Sequence, residues 1–121
     1  MHRVEHAHVD RAVAEGETAG FTDLVLDGRG RLVGATVVGP RAGESLAELT
    51  LAIRHGMRAS AVAGTTHAYP TYSDAVWNGA VATVRERLAG PLASRLTGAA
   101  VRTRRAWLDL RRPGGGQRRD R

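Results

Sequence analysis

The feature that most constrains the fold is a glycine-rich turn between two apolar segments. Asp27-Gly28-Arg29-Gly30 follows the Val- and Leu-rich segment 21–26 and precedes a second such segment, 31–39. Asp-Gly between two apolar runs is a strong hairpin signal, because glycine accepts positive φ angles that strain other residues. Residues 3–8 form a third candidate strand, although histidines make it unusually polar. The sequence therefore predicts a small antiparallel sheet.

Beyond Gly39-Pro40 the apolar residues recur at helical spacing. A first helix is expected from Ala42 to about Gly56, a short helical turn over 59–63, and a further helix from Ser73, whose hydroxyl is a plausible N-cap. The apolar stripe of the last helix is Trp77, Ala80 or Val81, Val84 and Leu88. Together the elements predict an α+β domain in which helices pack on one face of a three-stranded antiparallel sheet.

The C-terminal third differs in charge from the rest of the chain. Residues 1–84 carry seven Arg and nine acidic residues, a net of −2, whereas 85–121 carry eleven Arg and three acidic residues, a net of +8. We expect an extra basic amphipathic helix over 91–112 and a disordered basic tail over 113–121. The predicted domain organisation is thus 1–89, 91–112 and 113–121.

Several classes of protein are excluded by composition. The chain contains no cysteine, so it carries no disulfide framework, Cys-ligated zinc site or thiol redox chemistry of its own. No apolar run approaches the roughly 18 residues of a membrane span, and the first twenty residues lack the apolar core of a signal peptide. We expect a cytoplasmic protein without a membrane partner.

A metal site is not predicted either. His6 and His8 would share one face of a strand and could together bind a metal. Terminal histidines without a carboxylate cluster beside them are more often solvated, and Glu5 alone does not change that.

The segment with the most reactive groups is residues 66–74. Imidazole, phenol, hydroxyl and carboxylate groups lie together in a loop that enters a helix, and Pro70 restricts the backbone of Tyr69 and permits a cis peptide bond. A phenol held in this way could donate a proton or a hydrogen bond, with Asp74 one helical turn on to orient it. The alternative is structural: Ser73 and Asp74 cap the helix while both tyrosines pack.

This segment resembles the C-terminal signature of the pyridine nucleotide-disulfide oxidoreductases, which reads His-x-His-Pro-Thr-x-Ser-Glu. Other stretches are similar to the dimerisation domain of the same family. They are Asp10-Arg11-Ala12, Gly20-Phe21, Gly30-Arg31-Leu32-Val33-Gly34-Ala35 and Val38-Gly39-Pro40-Arg41-Ala42-Gly43-Glu44. The resemblance covers about residues 3–88, and the order and spacing of the motifs agree.

The resemblance assigns roles to individual residues. His67 matches the first His of the signature, and Tyr69 takes the place of the second, which is the acid–base catalyst in the disulfide reductases. Pro70 and Thr71 match directly, and Asp74 stands where the family has the Glu that orients the histidine. The resemblance implies that Tyr69, Asp74 and His67 are catalytic in a complete assembly, and that Tyr69 and Pro70 contact the flavin of a partner subunit.

Tyr69 also departs from the family pattern. A phenol with a pKa of about 10 is a poorer proton shuttle near neutrality than an imidazole with a pKa of about 6.5. Thiol–disulfide exchange is therefore not favoured, even in a complete enzyme.

The cofactor-binding parts of the family are missing from the sequence. FAD and pyridine nucleotide fingerprints need a glycine-rich loop at a helix N-terminus, and no G-x-G-x-x-G occurs here. We expect a C-terminal fragment that binds no cofactor and is inactive alone, with FAD and NAD(P)H implied for the complete enzyme. The leading hypothesis is a dimerisation module of such an oxidoreductase, which pairs with itself as a homodimer or with a separate FAD/NAD(P)-binding chain.

The alternative hypothesis is a small basic binding protein that uses the Arg-rich C-terminus on nucleic acid or an acidic partner. Arg95, Arg102 and Arg105 share one helical face, but no aromatic residue is interleaved among them apart from Trp107. A solvated basic face is favoured, so nucleic-acid binding is not expected.

Overall fold

The computed structural model describes residues 1–90, 102–104 and 107. Two compact units divide the chain, Met1–Glu86 and Arg87–Arg121. Most of the predicted basic helix at 91–112 and all of the predicted tail at 113–121 lie outside the described residues. Residues 102–104 and 107 have helical backbone. The predicted domain boundaries remain predictions.

The described sheet has three antiparallel strands in chain order, so the second strand lies in the middle. The strands are β1 (His2–Glu5), β2 (Phe21–Leu26) and β3 (Leu32–Val38). Thr22 pairs with Val4 on one side and with Val37 on the other. The predicted α+β class with a small antiparallel sheet is confirmed.

The hairpin between β2 and β3 forms where the sequence predicts it. The Asp27 carboxylate accepts hydrogen bonds from the backbone N–H groups of Arg29 and Arg31, both at 2.8 Å. These bonds, that of Arg31 above all, hold the pKa of Asp27 below its usual range. Gly30 takes the positive φ of +80° that the turn requires.

Four α-helices of the described chain accompany the sheet, and none of the described helices is long and apolar enough to cross a membrane. The helices are α1 (Asp10–Glu15), α2 (Ala42–Arg54), α3 (Ala59–Ala63) and α4 (Asp74–Ala89). The last three lie where the spacing of apolar residues places them.

The N-terminal segment differs from its prediction. The strand expected over 3–8 gives way to a 3-10 turn at His6–His8. The His6 N–H donates to the carbonyl of Gly20, and the Val9 N–H donates to the carbonyl of His6, each at 3.0 Å. The sequence does not reveal α1, because six residues show less than two turns of helical periodicity.

The main core lies between one face of the sheet and the helices α2, α3 and α4. Leu24 of β2 is fully buried, whereas its neighbour Val25 is exposed on the other face. The buried residues of this core are Leu24, Leu32, Leu49, Ala52, Ala59, Val62, Val76 and Ala80. The expectation that helices pack on one face of the sheet is confirmed.

Helix α4 turns small residues toward that core. A Cβ atom at Gly79 would lie 2.9 Å from Cδ1 of Leu24, so glycine lets the helix approach the sheet closely. The predicted stripe is therefore correct only in part: Ala80 is fully buried and Val84 is partly buried, whereas Trp77 and Leu88 are exposed. The prediction rests on the large apolar side chains of α4. In the structure the small residues of the helix face the core instead, and Trp77 is 37% exposed. The buried residues of α4 are Asp74, Ala75, Val76, Gly79, Ala80 and Thr83.

A second, smaller core holds α1 against the start of α4. Its members come from β1, from α1 and the residue before it, from the loop before α4 and from α4 itself. They are Val4, Val9, Ala12, Tyr72 and Ala75. This cluster fixes α1 beside the loop that connects α3 and α4, which we call the Tyr69 loop (residues 64–73).

Candidate functional site

The Tyr69 loop borders a cleft of about 530 Å³. The cleft also receives residues from the 3-10 turn, from α1 and from the first turns of α4. Its lining residues are His8, Asp10, Ala63, Gly64, Thr65, Thr66, His67, Tyr69, Asp74, Trp77 and Asn78. The structure thus brings the predicted catalytic residues Tyr69, Asp74 and His67 to one cleft. Pro70 lies outside it, in a smaller adjoining depression.

Tyr69 projects from the loop with 72% of its surface exposed. The peptide bond between Tyr69 and Pro70 is cis. The Tyr69 hydroxyl donates a hydrogen bond to the carboxylate of Asp10, at the start of α1. This hydrogen bond, together with the negative charge of Asp10, raises the pKa of Tyr69. Tyr69 is therefore a protonated hydrogen-bonding group at neutral pH.

Asp74 holds the backbone of the loop. Its side chain is 6% exposed and accepts a hydrogen bond from the N–H of Thr71 at 3.1 Å. The Thr71 hydroxyl in turn donates to the carbonyl of Ala68 at 2.8 Å. The sequence expects Asp74 to orient the phenol of Tyr69, but the structure assigns that contact to Asp10. The observed hydrogen bond of Asp74 goes to the loop backbone before α4, and the helix-capping role that the structural alternative gives to Ser73 and Asp74 stays a prediction.

His67 is anchored to helix α2. Its Nε2 lies 2.7 Å from a carboxylate oxygen of Glu48, and its Nδ1 lies 3.0 Å from the carbonyl oxygen of Thr65. Both partners are acceptors, so only the doubly protonated ring satisfies both contacts. Burial alone would lower the pKa of His67, but the bonds to Glu48 and Thr65 and the charges of Glu48 and Asp74 raise it.

Tyr72 ties the far end of the loop to α1. Its ring is buried, and its hydroxyl donates to Glu15 at 2.9 Å. Glu15 also accepts a hydrogen bond from Arg11 at 2.6 Å and lies 3.7 Å from the guanidinium of Arg41. The bonds from Tyr72 and Arg11 hold the pKa of Glu15 below its usual range. The packing that the alternative expects of both tyrosines is thus found for Tyr72 and not for exposed Tyr69.

Trp77 lines the cleft at the start of α4. Its indole N–H donates to the carbonyl of Ala63 at 3.1 Å, which joins α4 to the end of α3. The sequence predicts either a core anchor or part of a subunit interface. With its partly exposed ring, Trp77 is not a core residue.

The histidines of the N-terminal segment do not form the metal-binding pair considered from the sequence. The strand ends before them, so the shared face is lost. His6 is buried with its Nε2 3.1 Å from the Thr22 hydroxyl, whereas His8 is exposed at the cleft. Within residues 1–90, 102–104 and 107, no group of three or more His, Asp or Glu side chains could hold a metal ion.

Sequence reasoning missed three carboxylates of the site. Asp10 and Glu15 lie 59 and 57 residues before their tyrosine partners, and Glu48 lies 19 residues before His67. No local spacing connects residues so far apart. The sequence points to these carboxylates only indirectly, since a loop rich in hydrogen-bond donors needs acceptors from neighbouring elements.

Comparison with known proteins identifies relatives over much of this unit. The family pattern described as "Pyridine nucleotide-disulphide oxidoreductase, dimerisation domain" matches residues 1–80. Dihydrolipoyl dehydrogenase 2 of Haloarcula marismortui is 45% identical over 73 residues, which cover 60% of this chain and 16% of the relative. Dihydrolipoyl dehydrogenase of Chlorobaculum parvum is 36% identical over 86 residues, which cover 70% of this chain and 18% of the relative.

A solved structure shows a similar fold. The crystal structure of LpdA from Mycobacterium tuberculosis superposes with a TM-score of 0.63 at 22% identity, over 73% of this chain and 18% of that one. The chain therefore spans less than a fifth of the length of these relatives. The comparisons lend no support to the basic-binding alternative. The chain belongs to the pyridine nucleotide-disulphide oxidoreductase family, and residues 1–80 match its dimerisation domain.

Proposed function

We propose that the chain acts in the cytoplasm as the dimerisation module of an FAD-dependent NAD(P)H oxidoreductase. It self-associates and presents the Tyr69 loop to a chain or domain that binds FAD and NAD(P)H. The observation that carries the proposal is the cleft itself, which exposed Tyr69 lines together with His67 and Asp74. The loop is anchored from within its own unit, so it is available to a partner as a formed surface.

The outer face of α2 supports self-association. Leu51 is 59% exposed and Leu46 is also exposed, although both are large apolar residues in the middle of a helix. They border a shallow depression of about 390 Å³ formed by α2 alone. The lining residues are Gly43, Leu46, Ala47, Thr50, Leu51 and Arg54. An apolar patch with a polar rim is typical of a protein interface, and a second copy of the chain is the partner that the family assignment favours.

The described residues do not fit a dinucleotide site of their own. Such a site needs a parallel strand followed by a glycine-rich turn and a helix N-terminus. The described sheet is antiparallel, and the turn at 27–30 belongs to the hairpin. FAD and NAD(P)H therefore belong to another chain or another part of the assembly. The flavin contact that we propose is limited to Tyr69 and Pro70, both of which are exposed.

Each side chain of the site has a proposed task in that assembly. Tyr69 donates a hydrogen bond or a proton at the face of the loop, and its raised pKa keeps the phenol protonated. His67 supplies a cation at the wall of the cleft, and Asp74 holds the loop backbone. A protonated phenol does not readily accept the proton of a thiol, so thiol–disulfide exchange is not the proposed chemistry.

The proposal is tested by capturing the full chain from its own cells under gentle conditions, with a tag at one end. We expect a polypeptide with the absorbance of a bound flavin to copurify and to oxidise NADH or NADPH. Tyr69→Phe should keep the captured complex but lower turnover by about 10²-fold, as for loss of a general acid. Capture of the chain with no flavin-bearing polypeptide would contradict the proposal, and unchanged turnover would remove Tyr69 from the mechanism.

A further inference from the structure

We propose that Asp10 is a positioning residue, which holds the phenol of Tyr69 at the wall of the cleft in the orientation in which it meets a partner. The role of Tyr69 in a reaction rests on the proposed function, whereas the pairing of the two residues does not. Asp10 lies on α1 and Tyr69 on the loop before α4, so the contact joins two separate elements.

Among the described residues, the Tyr69 hydroxyl and the Asp10 carboxylate form a hydrogen bond only with each other. The Tyr69 hydroxyl donates to Asp10, and the Asp10 carboxylate accepts no further hydrogen bond from the described part of the chain. The other carboxylates near the cleft are engaged elsewhere. Asp74 accepts from the backbone of Thr71, and Glu48 faces His67.

Packing does not fix the orientation of Tyr69. Most of its ring is exposed to solvent, so few side-chain contacts restrict its rotamers. The hydrogen bond to Asp10 is then the main restraint on the position of the hydroxyl. Without it, ordering the ring would cost conformational entropy whenever a partner binds.

Asp10, by contrast, lies on a helix that packing holds in place. Its neighbours Val9 and Ala12 are fully buried in the second core. At the other end of α1, Glu15 accepts the hydroxyl of Tyr72 at 2.9 Å. One short helix therefore holds the Tyr69 loop at two points, through carboxylates at its first and last residues.

The pairing also acts on the proton of Tyr69. A carboxylate that accepts from a phenol favours the neutral phenol over the phenolate, because ionisation would place two negative charges in contact. Asp10 thus keeps Tyr69 in the form that can donate. Removal of its charge should make the phenol easier to ionise.

The experiment is a spectrophotometric tyrosine titration of the full chain. The chain has two tyrosines, so the difference between the wild type and Tyr69→Phe isolates Tyr69. The same difference between Asp10→Asn and the double variant Asp10→Asn/Tyr69→Phe gives its titration without Asp10. We expect the midpoint of Tyr69 to fall in Asp10→Asn and to be restored toward the wild-type value in Asp10→Glu. Glu44→Gln, which removes an exposed charge on α2, is the matched control and should give a smaller change in the midpoint.

A purely structural role for Asp10 gives a different result. Asp10 is the acidic residue in the first turn of α1, so its loss could lower the melting temperature through the helix dipole alone. Unchanged titration of Tyr69 in a cooperatively melting Asp10→Asn chain would overturn the proposal. If that variant does not fold, Asp10→Ser provides the same comparison. Because no partner is needed, this outcome is independent of whether the chain completes a flavoprotein.

Discussion

His6 is a buried histidine that the candidate site does not use. His6 is 1% exposed, and its Nε2 is within hydrogen-bond distance of the Thr22 hydroxyl. Its Nδ1 has no hydrogen-bond partner among the described residues. A Cβ atom at Gly39 would lie 2.7 Å from that nitrogen, and one at Gly20 would lie 2.9 Å from it. Two glycines with φ near +140° thus form the wall against which the ring packs.

This environment predicts that His6 makes the folded chain less stable in mild acid, whereas the raised pKa of His67 acts in the opposite direction. Burial lowers the pKa of His6, although the charge of Glu5 opposes this change, and the other titratable ring nearby is that of Tyr72. The unfolded chain, with a histidine pKa of about 6.5, then binds a proton more readily at this position than the folded chain does. The contribution of neutral His6 to the free energy of unfolding is therefore fully present above that pH. This contribution is lost as the pH falls through the lowered pKa, by about 1.4 kcal/mol for each pH unit that separates the folded and unfolded pKa values.

The measurement is the free energy of unfolding between neutral and mildly acidic pH. His6→Gln, which keeps a group able to reach Thr22, should show a weaker pH dependence than the wild type. His8→Gln changes an exposed histidine and should retain the wild-type slope. Equal slopes in the wild type and His6→Gln would assign the acid sensitivity to other groups.

At the scale of elements, α4 approaches the sheet closely at Gly79. Gly79 lies over Leu24, and its missing side chain leaves room for Leu24 and for a methyl group of Val4, 3.4 Å from the position of a Cβ atom. Gly79→Leu should therefore overpack the core and destabilise the fold by about 1–3 kcal/mol. Gly43→Leu makes the same change on α2, where a Cβ atom meets no other atom within 4 Å, and should not destabilise it. Thermal melts of both variants test this, and equal melting temperatures would contradict the packing.

The elements also show how far the sequence can predict this fold. The hairpin and the helices α2, α3 and α4 are predictable because turn chemistry and helical periodicity are local. The buried face of α4 is not, since the close contact depends on Gly79, a residue with no hydrophobic side chain. The end of β1 depends on the Gly20 carbonyl, which the sequence places fourteen residues from His6.

The candidate site, too, is predictable from the sequence only in part. The family signature leads to Tyr69, His67 and Asp74, and the structure brings all three to one cleft. The partners of Tyr69 and His67 come from α1 and α2. Such long-range pairs are set by packing, so a motif within one loop cannot specify them.

At the scale of the whole molecule, the chain combines an anchored loop with an unpaired apolar helix face. Residues 1–84 carry a net charge of −2, whereas 85–121 carry +8, so the family domain is not the basic part of the chain. Exposed Leu46 and Leu51 on α2 have no covering element in the described structure. Burial of these leucines against a second copy would account for their exposure in the single chain.

The most direct test of the proposed function is the mass of the full chain in solution, measured by sedimentation over a range of concentrations. We expect a species of twice 12.9 kDa, which Leu51→Glu converts to monomer. Val13→Glu introduces the same charge at an exposed apolar residue of α1 and should leave the dimer intact. A wild-type chain that stays monomeric at every concentration, or a Leu51→Glu chain that still dimerises, would contradict a dimerisation module that associates through α2.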